Sequence, residues 1–267
     1  MIDVQSRADQ RGIALDRVGV TDLRYPIVVL DRAHERQATT ARVTMSVSLP
    51  HHFKGTHMSR FIEVLNEHRG EVTMRTLPKL LTELRLRLTA ESARAELHFT
   101  YFLERMAPQS GARGLMDYEC SFIGEANAER ESFSLGVKVP VTSLCPCSKE
   151  ISDYGAHNQR GIISIDVRSA PSSVGPEPAL IWIEELIELA EKSASAPVYP
   201  LLKRSDERHV TMQAYENPVF VEDMVRNVAS ALREDRRVAW FAVHAVNYES
   251  IHNHSAFASV QWERPAT

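Results

Sequence analysis

The stretch TARVTMSVSLP, Thr40 to Pro50, decides how the chain is read. Apolar Val43, Met45, Val47 and Leu49 alternate with polar neighbours, the period-2 pattern of a strand with one buried face. Upstream, Tyr25 to Leu30 is a second extended run. Residues 1–25 mix Asp, Arg and Gln with Gly12 and Gly19 and read as an irregular arm. Downstream, after a loop at Pro50–Thr56, the stretch Ser59–His68 spaces Phe61, Ile62 and Leu65 helically. A second helix over Leu77–Leu88 carries Leu77, Leu80, Leu81, Leu84 and Leu88 at offsets of three and four. Strands follow at about Arg94–Leu103 and Leu115–Gly124. The same order then recurs. Ser132–Thr142 sets Phe133, Leu135, Val137 and Val139 on one face, and Gly161–Arg168 aligns Ile163, Ile165 and Val167. A loop, APSSVGPEP (170–178), precedes a helix over Leu180–Lys192. A further helix over Val219–Arg233 takes Asn217 as cap and Pro218 as its first residue. Val238–Asn247 and Ser255–Trp262 close the set as strands. The chain is thus α+β: an arm (1–25) and two ββααββ modules (26–126 and 127–267), antiparallel sheets with helices on one face. Sheet edges in such units must pair or be covered, so closure into barrels with other subunits is expected.

Composition narrows the function classes. The 267 residues carry 31 Lys+Arg against 35 Asp+Glu, a net charge of −4, so no basic field points to nucleic acid. No run of ~18 apolar residues exists, so no membrane span is expected. The opening MIDVQSRADQRG lacks the apolar core of a secretory signal. Three cysteines are an odd number and two lie two apart, which disfavours a disulfide framework and makes a reducing cytoplasm the expected location. Eleven histidines, several near carboxylates or cysteines, point to metal or acid–base chemistry.

The densest constellation is PVTSLCPCSKEISDYGAHNQRG, Pro140 to Gly161. Pro146 argues against helix at the Cys145-Pro146-Cys147 step, and an extended backbone would point both sulfurs to one side. One sulfur could then bind a metal while the other acts as a nucleophile; buried structural thiols are the bland alternative. His157 lies past the turn signal Asp153-Tyr154-Gly155, where a strand–loop–strand returns it to the thiols. Lys149 and Arg160 add cations of the kind that activate a thiolate. Lys203 to His209 reads as a solvated charged loop. Glu222 falls in the first turn of a helix, where the dipole favours a carboxylate in any case. His252 and His254, between two strands, share a face if extended, which suits metal ligation, although loop histidines are commonly just exposed. In LPHHFKGTHMSR (49–60), Gly55–Arg60 could form an anion site at a helix start, or Thr56 or Ser59 could simply cap it. No GxxxxGK[ST] or GxGxxG is present. Cys120 reads as an ordinary buried thiol.

Six stretches, DVQSRADQRGIALDRVGV, LPHHFKGTHMSRF, PVTSLCPCSKEISDYGAHNQRG, LLKRSDE, AYENPVFVEDMVR and NYESIHNHSAFA, together resemble the type IB GTP cyclohydrolase family, prokaryotic enzymes distinct from the zinc-dependent type IA enzyme. They span nearly the whole chain. The resemblance implies the tunnelling fold, with two ββααββ modules per chain assembling into barrels, and a homotetramer. It implies conversion of GTP and water to 7,8-dihydroneopterin triphosphate and formate, the first step of folate and pterin biosynthesis. By the same resemblance a divalent metal (Zn²⁺, Mn²⁺ or Fe²⁺) is held by Cys145, His157, Glu207 and His252. Cys147 is then the catalytic thiol, His157 also serves catalysis, and Glu222 anchors guanine. A buried Glu222 carboxylate can accept from guanine N1–H and the 2-amino group, a donor pair that adenine lacks. Lys203, Arg204, Ser148, Lys149 and Arg60 are the candidates for the triphosphate. The competing readings are another tunnelling-fold enzyme (a nitrile reductase or a pterin synthase), a cyclohydrolase variant that makes a cyclic phosphate, and a non-catalytic metal-binding protein.

Overall fold

The computed structural model describes residue 5 and residues 8–68, 72–73, 76–170 and 179–265. Of the loop expected at 170–178, residues 171–178 lie outside the described residues. Two compact units are resolved: residues 1–100 with 121–135, and residues 101–120 with 136–267.

In the first unit β1 (Leu15–Asp31) and β2 (Glu35–Leu49) pair antiparallel, and β2 pairs with the start of β3 (Ala93–Met106). The end of β4 (Arg113–Ala126) and the start of β5 (Glu131–Leu144) complete the unit. The alternation expected in β2 is present: Val43 and Met45 are fully buried and Val47 nearly so. Helices α1 (Met58–Glu67) and α2 (Leu77–Leu88) bury Phe61, Val64 and Leu65, and Leu77, Leu80, Leu81 and Leu84. Each such side chain contributes about 1.5–3 kcal/mol of burial. Gly124 is what lets α2 lie close to β4: a Cβ there would stand 2.8 Å from Leu81 and 2.9 Å from Leu77. One expectation fails here. Much of the arm is strand, because β1 begins at Leu15. Its pairing slips between Leu15 and Val18 and again between Val20 and Leu23, so the sequence shows no clean alternation.

In the second unit the strand order runs from β4 through β5, β6 (Asn158–Ser169) and β8 (Val238–Asn247) to β9 (Ala256–Glu263), and the two-residue β7 (Ala196–Pro197) pairs with β5. Helix α4 (Ile183–Lys192) packs with α6 (Val221–Glu234), and α6 lies on β8 and β9. The element order is again two strands, helices, two strands, but with insertions. A six-residue helix α3 (Pro146–Ile151) and a thirteen-residue helix α5 (Arg204–Glu216) are added.

Both insertions correct the sequence reading. Pro146 does not exclude helix; it starts one, because at the first helical position its missing N–H costs nothing. The charged run at 203–209 opens α5, whose helical pattern is hidden because only Asp206 and Ala214 are buried. Asn217 closes α5 instead of capping α6, which starts after Phe220. There its amide donates to the Ala194 carbonyl oxygen at 2.9 Å.

Candidate active site

The end of β5 and the start of β6 bring Cys145 and His157 together. The Cys145 N–H donates to the His157 carbonyl oxygen at 3.1 Å, across a loop in which Gly155 takes a left-handed φ of +74°. Ser148 closes the same loop from inside. Its N–H donates to Cys145 Sγ (3.4 Å), its hydroxyl donates to the Cys145 carbonyl (3.4 Å), and its oxygen accepts from the His157 N–H (3.0 Å). Cys145 is therefore the extended residue that caps α3, whereas Cys147 sits on its first turn. The two sulfurs do not share the extended backbone that their spacing suggested. Cys145 is half-buried and Cys147 exposed.

The imidazole of His157 is oriented by residues that the sequence did not single out. Its Nδ1 lies 2.8 Å from Oε1 of the buried Gln159 and 3.4 Å from Ser250 Oγ. An amide oxygen accepts only, so Nδ1 is the donor of this pair, and in the neutral ring Nε2 then keeps a lone pair. That tautomer, with the far nitrogen hydrogen-bonded, is the one a metal-ligating histidine adopts. Ser250 belongs to the loop between β8 and β9, whose start is pinned by Tyr248 N–H donating to the Arg160 carbonyl at 2.9 Å. In the same loop the exposed rings of His252 and His254 stack at 5.1 Å.

The other predicted residues are placed differently. Lys149 sits over the Tyr215 ring, 4.3 Å from its centroid, and also donates to the Tyr215 carbonyl, which clamps α3 to the end of α5. Glu207 is at the opposite end of α5, about 12 Å along the axis from Tyr215. Its exposed carboxylate pairs with Arg204 at 2.9 Å. Beside it Asp206 is fully buried. Burial disfavours its charge, yet the hydroxyl and N–H of Ser110 and the N–H groups of Lys203 and Gln109 hold its carboxyl well below the usual range. Asp206 thereby fixes α5 to the β3–β4 turn. Glu222 lies in the first turn of α6 as expected, but it is exposed, not buried. Lys203 and Arg204 are exposed. Arg60 belongs to the first unit, where it donates to the Arg87 carbonyl at 2.7 Å; neither Thr56 nor Ser59 caps α1, which starts after His57 without a side-chain cap. Cys120 is buried as expected, and burial pushes its thiol up.

Among the described residues no three His, Cys, Asp or Glu side chains stand close enough to hold a metal ion. Cys145 and His157 nevertheless fit one chemically: a sulfur and a ring nitrogen on adjoining strand ends, the nitrogen in the ligating tautomer.

The chain matches the family model described as type I GTP cyclohydrolase folE2 over residues 1–258. It is 53% identical over 262 residues to GTP cyclohydrolase FolE2 of Syntrophotalea carbinolica, covering 98% of this chain and 95% of that one. With GTP cyclohydrolase FolE2 of Geobacter sulfurreducens it shares 53% over 264 residues, 99% of each chain. Among solved structures, the uricase of Arthrobacter globiformis superposes with a TM-score of 0.56 over 94% of both chains at 10% identity. Urate oxidase from Bacillus sp. TB-90 gives 0.54, over 94% of this chain and 100% of that one, at 10% identity. The urate oxidases share the tunnelling fold, and at these identities the likeness concerns fold alone. The strand and helix order, the fold likeness and the match along nearly the whole sequence agree: the chain belongs to the type I GTP cyclohydrolase FolE2 family.

Proposed function

We propose that this protein is a metal-dependent GTP cyclohydrolase of type IB. It converts GTP and water to 7,8-dihydroneopterin triphosphate and formate, at the head of folate biosynthesis. One water is consumed overall, and guanine C8 leaves as the carbon of formate. The observation that carries this reading is the Cys145–Ser148–His157 tie, with His157 Nδ1 donating to Gln159.

A divalent ion would be held by Cys145 and His157, with Glu207 and His252 completing the set in the assembled enzyme. When bound, it supplies a water of lowered pKa for addition at C8. Mixed sulfur, nitrogen and oxygen ligands suit zinc, and manganese or iron as well. The chain's own residues do the rest. Cys147, exposed on α3, moves a proton at the imidazole nitrogens as the ring opens. Glu222 accepts from guanine N1–H and the 2-amino group and so selects guanine over adenine. Lys203 and Arg204, both exposed, meet the triphosphate. Ser148 and Lys149 already hold α3 in place and reach the phosphates only by exchanging those bonds.

The enzyme acts as a cytoplasmic homotetramer in which barrels close across subunits. Among the described residues no helix is long and apolar enough to cross a membrane. Assembly is supported by the position of β9 at the end of the strand order, and by Ile151, Tyr154 and Ile251 standing 84%, 93% and 65% exposed around the candidate site. Exposed apolar residues at a site's rim are what a partner surface covers.

The test is direct. Purified protein given GTP with Mn²⁺, Zn²⁺ or Fe²⁺ should release formate and yield a pterin that fluoresces after oxidation. A folded sample that releases no formate with any of the three metals excludes the cyclohydrolase reading. Metal bound tightly under those conditions would then leave a metal-binding protein.

A further inference from the structure

Beneath the candidate site lies a buried chain of hydrogen bonds that the chemistry above does not use. Asn247, the last residue of β8 and 3% exposed, donates from Nδ2 to Ser143 Oγ at 3.0 Å. Ser143, on β5 and 1% exposed, donates in turn to the Val219 carbonyl oxygen at 3.0 Å. The Val219 N–H donates to the Leu144 carbonyl at 3.1 Å, so both faces of Val219 are tied to the end of β5. The Leu144 N–H donates to Oγ of the fully buried Ser195 at 3.0 Å. Gly161 faces Asn247 across the β6–β8 pair. A Cβ on Gly161 would stand 2.5 Å from Asn247 Oδ1 and 2.9 Å from the Val246 carbonyl, so glycine is needed for the carboxamide to sit there.

The direction of these bonds matters. The Ser143 hydroxyl has one proton, and Asn247 takes its lone pair as donor, so that proton is aimed at Val219. Val219 precedes by three residues the Glu222 carboxylate on the first turn of α6. Phe220, between them, is the cap of α6 and makes no side-chain capping bond, so beside the packing of Val221 and Met224 the helix start is held through the Ser143 bond to Val219.

We infer that Ser143, aimed by Asn247, is a positioning residue that sets Glu222 for purine selection. The inference rests on the reading of Glu222 as the guanine anchor. Fixing the backbone before the nucleotide arrives stores the alignment that two simultaneous hydrogen bonds to guanine require. A helix start free to shift by a fraction of an ångström would keep one bond and lose the other.

Equilibrium binding of GTP and ITP to the full-length protein, with a chelator present so that nucleotide is not consumed, tests this. ITP lacks the 2-amino group, so the GTP/ITP preference reports the second hydrogen bond. Ser143→Ala should weaken GTP binding about tenfold and ITP binding less, so the preference falls severalfold. The same change on a Glu222→Gln background should add nothing further. If Ser143→Ala does not fold, Ser143→Cys keeps the volume and loses most of the bond, and is read the same way. An unchanged preference in a folded Ser143 variant, or an additive loss in the double variant, overturns the inference. A wild-type preference in Glu222→Gln itself overturns the guanine role of Glu222 and this inference with it; loss there with none at Ser143 overturns only the latter.

Discussion

The two units repeat one element order but differ in what their interiors hold. In the first, the buried polar side chains among the described residues are Asp31, Ser46, Thr73 and Ser134. Asp31 acts locally: its Oδ1 accepts from the N–H groups of Ala33 and His34 at 2.8 and 2.7 Å and closes the adjoining turn. In the second, Ser143, Gln159, Glu184, Glu191, Ser193, Ser195, Asp206 and Asn247 are buried, and most of them join separate elements. Tyr101 donates to Glu184 at 2.7 Å, and Arg105 and Tyr118 meet Glu191, so strands β3 and β4 are tied to α4. The lesson is physical. Apolar packing tolerates small slips, whereas a buried hydrogen bond must be made in one geometry or cost its desolvation. The copy that must hold inserted helices in register is the one with the polar interior.

Four changes would break or sharpen this contrast. Cys147→Ala, in the second unit, should lower formate release about 10³-fold with metal content unchanged, read by turnover and metal analysis. If metal is lost with Cys147 and kept without Cys145, the two sulfurs exchange roles. Phe61→Ala, in the first unit, removes a fully buried ring and should cost about 3–5 kcal/mol in urea unfolding, with the GTP/ITP preference untouched. A changed preference would mean that the first unit is more than a packing scaffold. Glu222→Gln should weaken GTP binding about 10- to 100-fold at unchanged unfolding midpoint, since it exchanges a charged acceptor for an amide. The smallest effect is a pH dependence at Glu191. Burial raises its carboxyl above the ordinary value, against the opposing pull of Arg105 and the Tyr118 hydroxyl. The stability this confers is complete below the unfolded carboxyl range and fades as pH rises through the raised folded value. Glu191→Gln should therefore gain on the wild type as unfolding is followed from pH 4 to pH 7; a constant gap would refute the buried-acid account.

How much of this could be read from residues alone depended on where each pattern had its partner. Helix α2 is found at Leu77–Leu88 as read, because Leu77, Leu80, Leu81 and Leu84 write its buried face directly into the sequence. Strand β8 is found at Val238–Asn247 as read for the same reason. Helix α5 is nearly solvated and has no stripe to read; what fixes it is Asp206, whose partners are about a hundred residues away in the β3–β4 turn. Pro146 was legible as a breaker but not as a starter, since the difference lies in which side of it the helix runs. At the candidate site the Cys145–His157 approach follows from spacing and a glycine turn. Gln159, Ser250, Ser143 and Asn247 carry no signal in isolation, because a polar side chain acquires its role only from the group it faces.

Strand β9 has a consequence for how the protein survives in a crowded solution. AFASVQWE ends the strand order, buries none of its residues, and leaves Phe257 68% exposed. It has no proline and no lysine, and its single charge is at the last position. Such gatekeepers are how sheet proteins discourage foreign strands from adding to an open edge. Here the guard is missing, and in the proposed assembly a neighbouring subunit would supply the protection. A lysine introduced at Val260 should make an isolated chain less prone to aggregate and would oppose the proposed pairing with a neighbour, so solubility and that assembly pull on this strand in opposite directions.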